Sequence, residues 1–436
     1  MIEQERDPAA DDAKVGVASS RAVALNVFGI ICYPLSIPYA FGRTGWYAGV
    51  VAFIYASTAN YCGAYLLGDI CIEKPNLTSY PAIAREAYGA AASIAVDSLQ
   101  WAGFFMLAVY NIVLVGEYLS MTSWSDGLCQ KEWMPVVVAA LLVPAMIPSW
   151  NDLSWLATGF VAMAMGTVAI LLDESIVDSY CERKYSHVTF FTVMQGITSM
   201  SFSFGGSSMF PEVIQEMANR KEFIARDGAL NMAYKAVIPI YFVCGVVGFA
   251  SFGNDCEGNV LLNYSHNVAR KVSIGFMLFM LLFGILECNQ LLSKKIEGRL
   301  GVHPTAWSAP PSSADSNPGL ARGVVRSCLL GLQLLFALTF FNAGAGDIQS
   351  LTGALAGTPL SMAAPYLLHL KLLPDRFSVT TQTAMMGAAV VGFMVFVFGT
   401  VVAVYAIADS ASSYELFGGE CDAEDTVDSE ARCKWW

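Results

Sequence analysis

The chain has 436 residues, of which 55% are hydrophobic and 14% are charged, and its mean hydropathy is +0.52. Soluble proteins carry about 25% charged residues, so this composition excludes a soluble globular protein and indicates an integral membrane protein. The formal net charge of -12 argues against a nucleic-acid partner, because such partners are held through basic surfaces.

The apolar residues are grouped into eleven stretches. Most of these stretches are near the roughly 20 residues that a helix needs to cross a bilayer. Between a polar cytoplasmic arm at 1–24 and an acidic C-terminal tail at 409–436, residues 25–408 are a predicted all-α transmembrane domain of about eleven helices. The stretches are 25–42, 46–72, 94–120, 134–149, 153–173, 190–217, 231–252, 271–293, 324–343, 348–370 and 382–408.

The basic residues predict the orientation of these helices. With the N-terminus in the cytoplasm, 16 of the 24 Lys and Arg residues fall on the cytoplasmic side and 8 on the other side. Because cytoplasmic loops are enriched in Lys and Arg, this bias predicts a cytoplasmic N-terminus and an extracellular or lumenal C-terminus. We expect a plasma membrane or a membrane of the vacuole or lysosome type. The acidic start of the chain predicts no cleaved signal peptide.

The cysteine and histidine residues give no metal-binding pattern. None of the 11 cysteines forms a C-x-x-C pair, and the four histidines are not at metal-ligand spacing. We therefore predict no metal site and no cofactor. Cys129, Cys181 and Cys256 fall in predicted outward loops, where a disulfide between two of them is one open alternative.

The sixth stretch has the composition of an interrupted helix. Gly205 and Gly206 lie among serines and are followed by Pro211 and Glu212. Glycine lowers the cost of unwinding, and proline removes a backbone donor. Unwound backbone is tolerated at membrane depth where it is buried in protein or lines a wet cavity, so the pattern predicts a binding site at a break. The alternative is a kinked helix whose small residues allow close packing.

The first stretch repeats this pattern, because Pro34 and Pro38 lie four residues apart in its second half. In a chain of eleven helices, the first and sixth run in opposite directions and open two groups of five. Interrupted helices at matching positions in two halves indicate a transporter site. Free N–H groups favour a carboxylate and free carbonyls favour an ammonium group, so the pattern favours an amino acid.

Three segments resemble motifs of the amino acid/auxin permease family. Residues 35–46, LSIPYAFGRTGW, resemble the first-helix motif LSLPYAF followed by GW. Residues 202–212, FSFGGSSMFPE, resemble the sixth-helix motif FxFGGHxxxPE. Residues 346–360, GDIQSLTGALAGTPL, are similar to the tenth-helix motif GDLLSLVGAxxGxPL. The three segments occur in the order and spacing of the family.

The resemblance implies a fold similar to the leucine-transporter group, with a five-plus-five inverted repeat, one extra helix, and breaks in helices 1 and 6. It implies a secondary active transporter of amino acids or related small molecules, with proton or sodium coupling and no catalytic residues. Substrate contacts would be made largely through the backbone of two sets of residues. These are Ile30, Ile31, Cys32, Tyr33 and Ser36, and Ser203, Phe204, Gly205, Gly206 and Ser207.

Two positions depart from the family pattern. Ile31-Cys32-Tyr33 stands where the family often has Gly-x-Gly, and Ser207 stands where it has histidine. Two bulky side chains would crowd a backbone site. Either the pocket is reshaped for a smaller or different substrate, or the backbone carries Tyr33 outward.

Two carboxylates are candidates for coupling, because an ionisable group within a membrane span is costly unless it has a function. Glu287 lies in the eighth stretch and Glu117 in the third. The alternative for Glu287 is a helix-end ion pair with Lys294 or Lys295. Hydroxyl ligands for sodium are sparse in the eighth stretch, so we favour protons over sodium.

These patterns lead to two hypotheses. The first is a proton-coupled transporter of small amino acids or their relatives that works by alternating access about the breaks in helices 1 and 6. The second is a membrane sensor that binds the same substrate, transports little, and signals through the arm, the 301–320 loop or the tail. In both, the partners are a small amino-acid-like molecule and the lipid bilayer.

Overall fold

The structure is a computed structural model, and it describes residues 18–122, 128–147, 155–177, 185, 188–265, 267–300 and 318–411. Within these residues the regular secondary structure is helical. Seven helical segments of this part are long and apolar enough to cross a membrane. The predicted all-α membrane class therefore agrees with the observed architecture.

The helices follow the predicted apolar stretches in chain order. The first stretch is divided between α1 and the start of α2, and the sixth between α7 and α8. The tenth stretch is formed by α12, two short π-helical segments and α13. The bounds are α1 Ser20–Ile31, α2 Ile37–Glu73, α3 Tyr80–Tyr88, α4 Ala90–Ser120, α5 Gln130–Leu141, α6 Trp155–Val177, α7 Phe190–Ser203, α8 Phe210–Gln215, α9 Ala229–Phe252, α10 Val268–Arg299, α11 Pro318–Phe340, α12 Gly344–Thr352, α13 Ala364–Leu372 and α14 Val379–Ala411.

Local capping explains where some helices differ from the predicted boundaries. Helix α1 begins at Ser20, ahead of the predicted residue 25, because the Ser19 hydroxyl accepts a hydrogen bond from the Ala22 N–H at 3.3 Å. Helix α5 ends at Leu141, and a 3₁₀ turn at Pro144–Met146 follows it. Helix α14 continues to Ala411, and the rest of the predicted tail lies outside the described residues.

The cysteines that fall in predicted outward loops behave differently from one another. Cys129 is disulfide-bonded. Cys256 is a free, buried cysteine, so it takes no part in that bond. Cys181 lies outside the described residues.

Helices α1 and α2 are separated by a short irregular segment. Cys32 and Tyr33 are not helical, and Pro34–Ser36 form a single 3₁₀ turn. The backbone of Tyr33 is not helical, with φ -126° and ψ 79°, and the proline that follows disfavours the helical conformation at this position.

A similar segment separates α7 from α8. Helix α7 ends at Ser203, and a 3₁₀ turn at Ser207–Met209 leads into α8. Gly206 between them has φ +133°, a conformation that residues with a side chain rarely adopt. The glycine pair therefore permits a change of direction that a continuous helix would not.

The two ends of the bundle are named here by residues that mark them. Helix α2 changes direction at Gly45, where φ is +72°, and this end is called the Gly45 side. The other end is called the Ser20 side, because α1 begins there. The Ala18 N–H donates to the Glu216 carbonyl at 2.9 Å, so the chain after α8 also lies on the Ser20 side.

Ion pairs join the helix ends on the Ser20 side. Lys295 near the end of α10 lies 2.8 Å from Asp97 near the start of α4. Asp69 near the end of α2 is almost fully buried and lies 2.9 Å from both His369 and Arg376. These pairs fix the order of the helices around the two breaks.

Candidate functional site

The two breaks share one accessible face. Five of their residues are partly exposed: Ile30, Tyr33, Phe202, Gly205 and Gly206. The residues between them are buried: Ile31, Cys32, Ser203 and Phe204. A solute that reaches this part of the bundle would therefore meet two aromatic rings, one isoleucine and the glycine pair, in which the Gly205 N–H donates to the Phe202 carbonyl and the Gly206 carbonyl accepts from the Met209 N–H.

The breaks are in direct contact with each other. The Ser36 and Ser203 hydroxyls lie 2.8 Å apart and are both buried. A Cβ added to Gly206 would lie 2.4 Å from Ile30 Cγ2 and 3.5 Å from Ile31 Cγ2. The two predicted sets of residues, which are about 170 positions apart along the chain, thus form one site.

Tyr241 on α9 joins the two breaks, and the sequence analysis missed it. Its buried hydroxyl accepts a hydrogen bond from the Tyr33 N–H and lies within hydrogen-bonding distance of two carbonyls. These are the Ile31 carbonyl at the end of α1 and the Ser203 carbonyl at the end of α7, the latter at 3.0 Å. A hydroxyl has one hydrogen, so it satisfies only one of the two carbonyls at a time.

Tyr33 points into the bundle. Its ring packs edge-on against Tyr110 of α4, with ring centroids 6.0 Å apart, and against Phe202 of α7 at 6.2 Å. The Tyr33 and Tyr110 hydroxyls lie 3.2 Å apart. Tyr33 therefore does not face outward, and the pocket reshaped for a smaller or different substrate stays a prediction.

Polar contacts anchor the sixth-helix break to neighbouring helices. The Gln100 side chain on α4 is buried and donates to the Ser208 carbonyl at 2.8 Å, and its own carbonyl accepts from Lys295 at 3.3 Å. The Ser207 hydroxyl donates to the Ser361 hydroxyl at 2.7 Å. Gln100 is the second residue that the sequence analysis missed. An amide inside an apolar stretch was the signal that could have found it.

The Gly45 side of the breaks is closely packed. Tyr39, Phe41 and Thr44 are buried, and the Arg43 guanidinium lies 4.8 Å from the centre of the Tyr39 ring. The Asn254 side chain donates to the Gly42 carbonyl at 2.7 Å. This packing closes the path from the Gly45 side.

The Ser20 side of the breaks is more open. In α1, Leu25 and Gly29 are exposed, and Asn26 and Ile30 are partly exposed. These four residues lie between the start of the helix and the break. The described residues therefore cover the breaks less on the Ser20 side than on the Gly45 side.

The two predicted coupling residues lie on different helices, and Glu117 interacts electrostatically with Tyr33 of the first break. Glu117 is 20 residues beyond Asp97 on α4, which places it about 30 Å further along that helix toward the Gly45 side. Its Oε2 atom is buried without a hydrogen-bond partner among the described residues. Glu287 on α10 is exposed, and Lys295 pairs with Asp97, so the helix-end ion pair between Glu287 and Lys295 is not formed.

Comparison with known proteins gives a consistent assignment. The family model for "Transmembrane amino acid transporter protein" matches residues 19–407. Amino acid transporter AVT1B of Arabidopsis thaliana is 25% identical over 395 residues, covering 86% of this chain and 69% of the relative. Amino acid transporter AVT1J of the same plant is 23% identical over 398 residues, covering 87% and 88%.

A solved structure shows the same fold. It is a sodium-coupled sialic acid symporter in its substrate-bound, outward-open state, with a TM-score of 0.51 and 12% identity over 93% of each chain. The predicted leucine-transporter-like fold is thereby confirmed, and the number of crossings and the inverted repeat stay predictions. Since the family match spans nearly all of the described chain, the protein belongs to the family of transmembrane amino acid transporters, and its activity is secondary transport rather than catalysis.

Proposed function

We propose that this protein is a proton-coupled secondary transporter of small amino acids that binds its substrate at the breaks of the first and sixth predicted helices. The observation that carries the proposal is the contact between the two breaks. Ser36 and Ser203 meet there, and Gly205 and Gly206 beside them are partly exposed. Exposed peptide groups at membrane depth need polar partners, and a solute supplies them.

The charges at the helix ends suit a zwitterion. Helices α1 and α7 both terminate at the site, so their C-terminal carbonyls carry partial negative charge toward it and favour an ammonium group. The N–H groups at the start of α2 and α8 favour a carboxylate. An α-amino acid carries both groups at a fixed short separation.

The packing suggests how the site changes access. The breaks are packed more closely on the Gly45 side, by Tyr39, Arg43 and Asn254, than on the Ser20 side, and this difference supports access from the Ser20 side. In an alternating-access cycle, rocking about the breaks would open the second side and close the first. The excess of basic residues supports a cytoplasmic Ser20 side.

Glu287 is the residue that we propose to carry the coupled proton. It is an exposed carboxylate in the α10 span, and it lies eight residues, or about 12 Å along the helix, before Lys295. A carboxylate inside a membrane span is costly unless it is wet, paired or neutral. In the proposed mechanism, water reaches Glu287 from the Ser20 side and exchanges a proton with its carboxyl group.

Uptake into reconstituted vesicles tests this proposal. Vesicles with the purified protein should accumulate alanine when a proton gradient is imposed, and a sodium gradient alone should give no accumulation. Accumulation that follows sodium and ignores protons would contradict the coupling. Binding of alanine without any uptake under either gradient would contradict the transport function and favour a sensor.

A further inference from the structure

We infer that Tyr33 is a fixed size filter that limits the substrate to amino acids with small side chains, such as glycine, alanine and serine. This inference rests on the proposed binding site at the breaks. Tyr33 is a partly exposed tyrosine, and it belongs to the irregular segment between α1 and α2. Its neighbours Cys32 and Pro34 are buried, so Tyr33 is the residue of this segment that a solute can contact.

Tyr33 is held in place at both ends. At its backbone, Pro34 restricts the conformation, and the Tyr241 hydroxyl accepts a hydrogen bond from the Tyr33 N–H. At its tip, the hydroxyl lies 3.2 Å from the Tyr110 hydroxyl. A side chain fixed at both ends acts as a wall, because it cannot turn aside for a bulky solute without losing these contacts.

The residues behind Tyr33 are also fixed. Tyr110 is 1% exposed, and its hydroxyl lies 3.4 Å from Oε1 of the fully buried Gln349. The Gln349 amide donates to the Ser199 hydroxyl at 2.6 Å. Phe202 packs against both tyrosines, with its ring centroid 5.1 Å from that of Tyr110. These contacts therefore hold the rings of Tyr33, Tyr110 and Phe202 in place, so the rings do not move aside for a larger solute.

Ile30 narrows the site on its other side. Because a Cβ on Gly206 would lie 2.4 Å from Ile30 Cγ2, the isoleucine already touches the glycine pair. A substrate whose ammonium and carboxylate groups engage the break would have its side chain between Ile30 and the aromatic wall. Interiors packed in this way resist added methylene groups, so larger side chains are excluded.

Competition between small and large amino acids tests the filter. Uptake of radiolabelled alanine and leucine should be compared for the wild-type protein, Tyr33→Ala, Tyr33→Phe and Tyr55→Ala. Tyr55→Ala is the matched control, since Tyr55 is a partly exposed tyrosine on α2 whose hydroxyl has no partner among the described residues.

We expect wild-type protein to prefer alanine over leucine by at least about 10-fold, the discrimination that one or more methylene groups supply in a packed pocket. Tyr33→Ala should remove most of this preference. Tyr55→Ala should keep it, because Tyr33 is unchanged, and Tyr33→Phe should lower it only in part, because it keeps the ring but loses the hydroxyl contact with Tyr110. Equal uptake of alanine and leucine by wild-type protein, or an unchanged ratio in Tyr33→Ala, would overturn the inference.

A binding measurement separates this inference from the transport proposal. If wild-type protein transports no amino acid, the transport proposal fails, and ligand-induced thermal stabilisation then tests the filter alone. Alanine but not leucine should stabilise the wild-type protein, and both should stabilise Tyr33→Ala. Equal stabilisation of the wild-type protein by the two amino acids would overturn the filter. This comparison uses only the wild-type protein, so it holds even if the Tyr33→Ala protein does not fold or is not expressed.

Discussion

Replacing Tyr241 with phenylalanine removes a buried hydroxyl that hydrogen-bonds to the backbone of both breaks. The substitution deletes a single oxygen atom and keeps the ring, which packs against Phe204 with centroids 4.9 Å apart. In the wild-type protein the hydroxyl accepts from the Tyr33 N–H and donates to either the Ile31 or the Ser203 carbonyl. Tyr241→Phe therefore loses two buried hydrogen bonds at a time.

Each lost hydrogen bond costs about 1 kcal/mol, so the two together amount to about 2 kcal/mol. If this energy holds the breaks in the arrangement that binds substrate, its loss weakens apparent affinity by up to about 30-fold. We expect the KM for alanine to rise by this order. The Tyr241→Phe protein should still fold and be expressed, because no cavity larger than one atom is formed.

Tyr234→Phe is the matched control for Tyr241→Phe. Tyr234 lies two turns earlier on α9, is equally buried, and its hydroxyl has no hydrogen-bond partner among the described residues. Loss of that hydroxyl should leave the KM unchanged and cost no stability. Alanine uptake measured over a concentration series gives the KM of each variant. Equal KM values for the two variants would refute the reasoning that the Tyr241 hydroxyl positions the breaks.

Three further substitutions test other contacts. Glu287→Gln should flatten the dependence of alanine uptake on external pH, because a residue that cannot lose a proton cannot couple to one; an unchanged pH profile would rule out Glu287 as the coupling residue. Gln100→Leu leaves the Ser208 carbonyl without its donor, so we expect the KM for alanine to rise by roughly 5- to 100-fold, corresponding to about 1–3 kcal/mol. Asp69→Asn should lower the free energy of unfolding by about 3 kcal/mol, because it uncouples a buried carboxylate from His369 and Arg376, and thermal melting would measure this loss.

Matched controls exist for two of these substitutions. Gln382→Leu removes an amide that bonds only to carbonyls ahead of its own helix, so it should leave the KM unchanged. Asp227→Asn removes an exposed ion pair with Lys235, at 3.7 Å, which should cost less than about 1 kcal/mol. A KM that rises equally in Gln100→Leu and Gln382→Leu would remove Gln100 from the site. Equal melting losses for the two aspartate variants would show that the Asp69 cluster is not stabilising.

The sequence alone predicted the helices well, because each apolar stretch must hide its backbone polar groups in a lipid environment. The segments at Pro34 and at Gly205–Gly206 were found for a similar reason. Proline and glycine act locally, so their effect on helix geometry can be inferred without knowing what packs against them. The boundaries at Ser20 and Leu141 were set by capping and turns that apolar patterns do not reveal.

Contacts between distant parts of the chain were harder to predict. Tyr241 meets Ile31 and Tyr33 across more than 200 residues of sequence, and nothing in the composition of its stretch distinguishes it from Tyr234. The direction of Tyr33 was also undecided, because it depends on packing against Tyr110 and Phe202. Such contacts follow from the register between helices, which one sequence does not specify.

Binding of alanine to Gly206→Leu tests most directly whether the substrate lies between the two breaks. Leucine at this position would overlap Ile30 and would have to adopt φ +133°, so the overpacking cost of about 1–3 kcal/mol would fall on the site itself. The control is Gly275→Leu on α10, where an added Cβ meets no described atom within 4 Å. We predict that folded Gly206→Leu fails to bind alanine while Gly275→Leu binds it normally. Wild-type affinity in folded Gly206→Leu would contradict the proposal that the two breaks form the binding site.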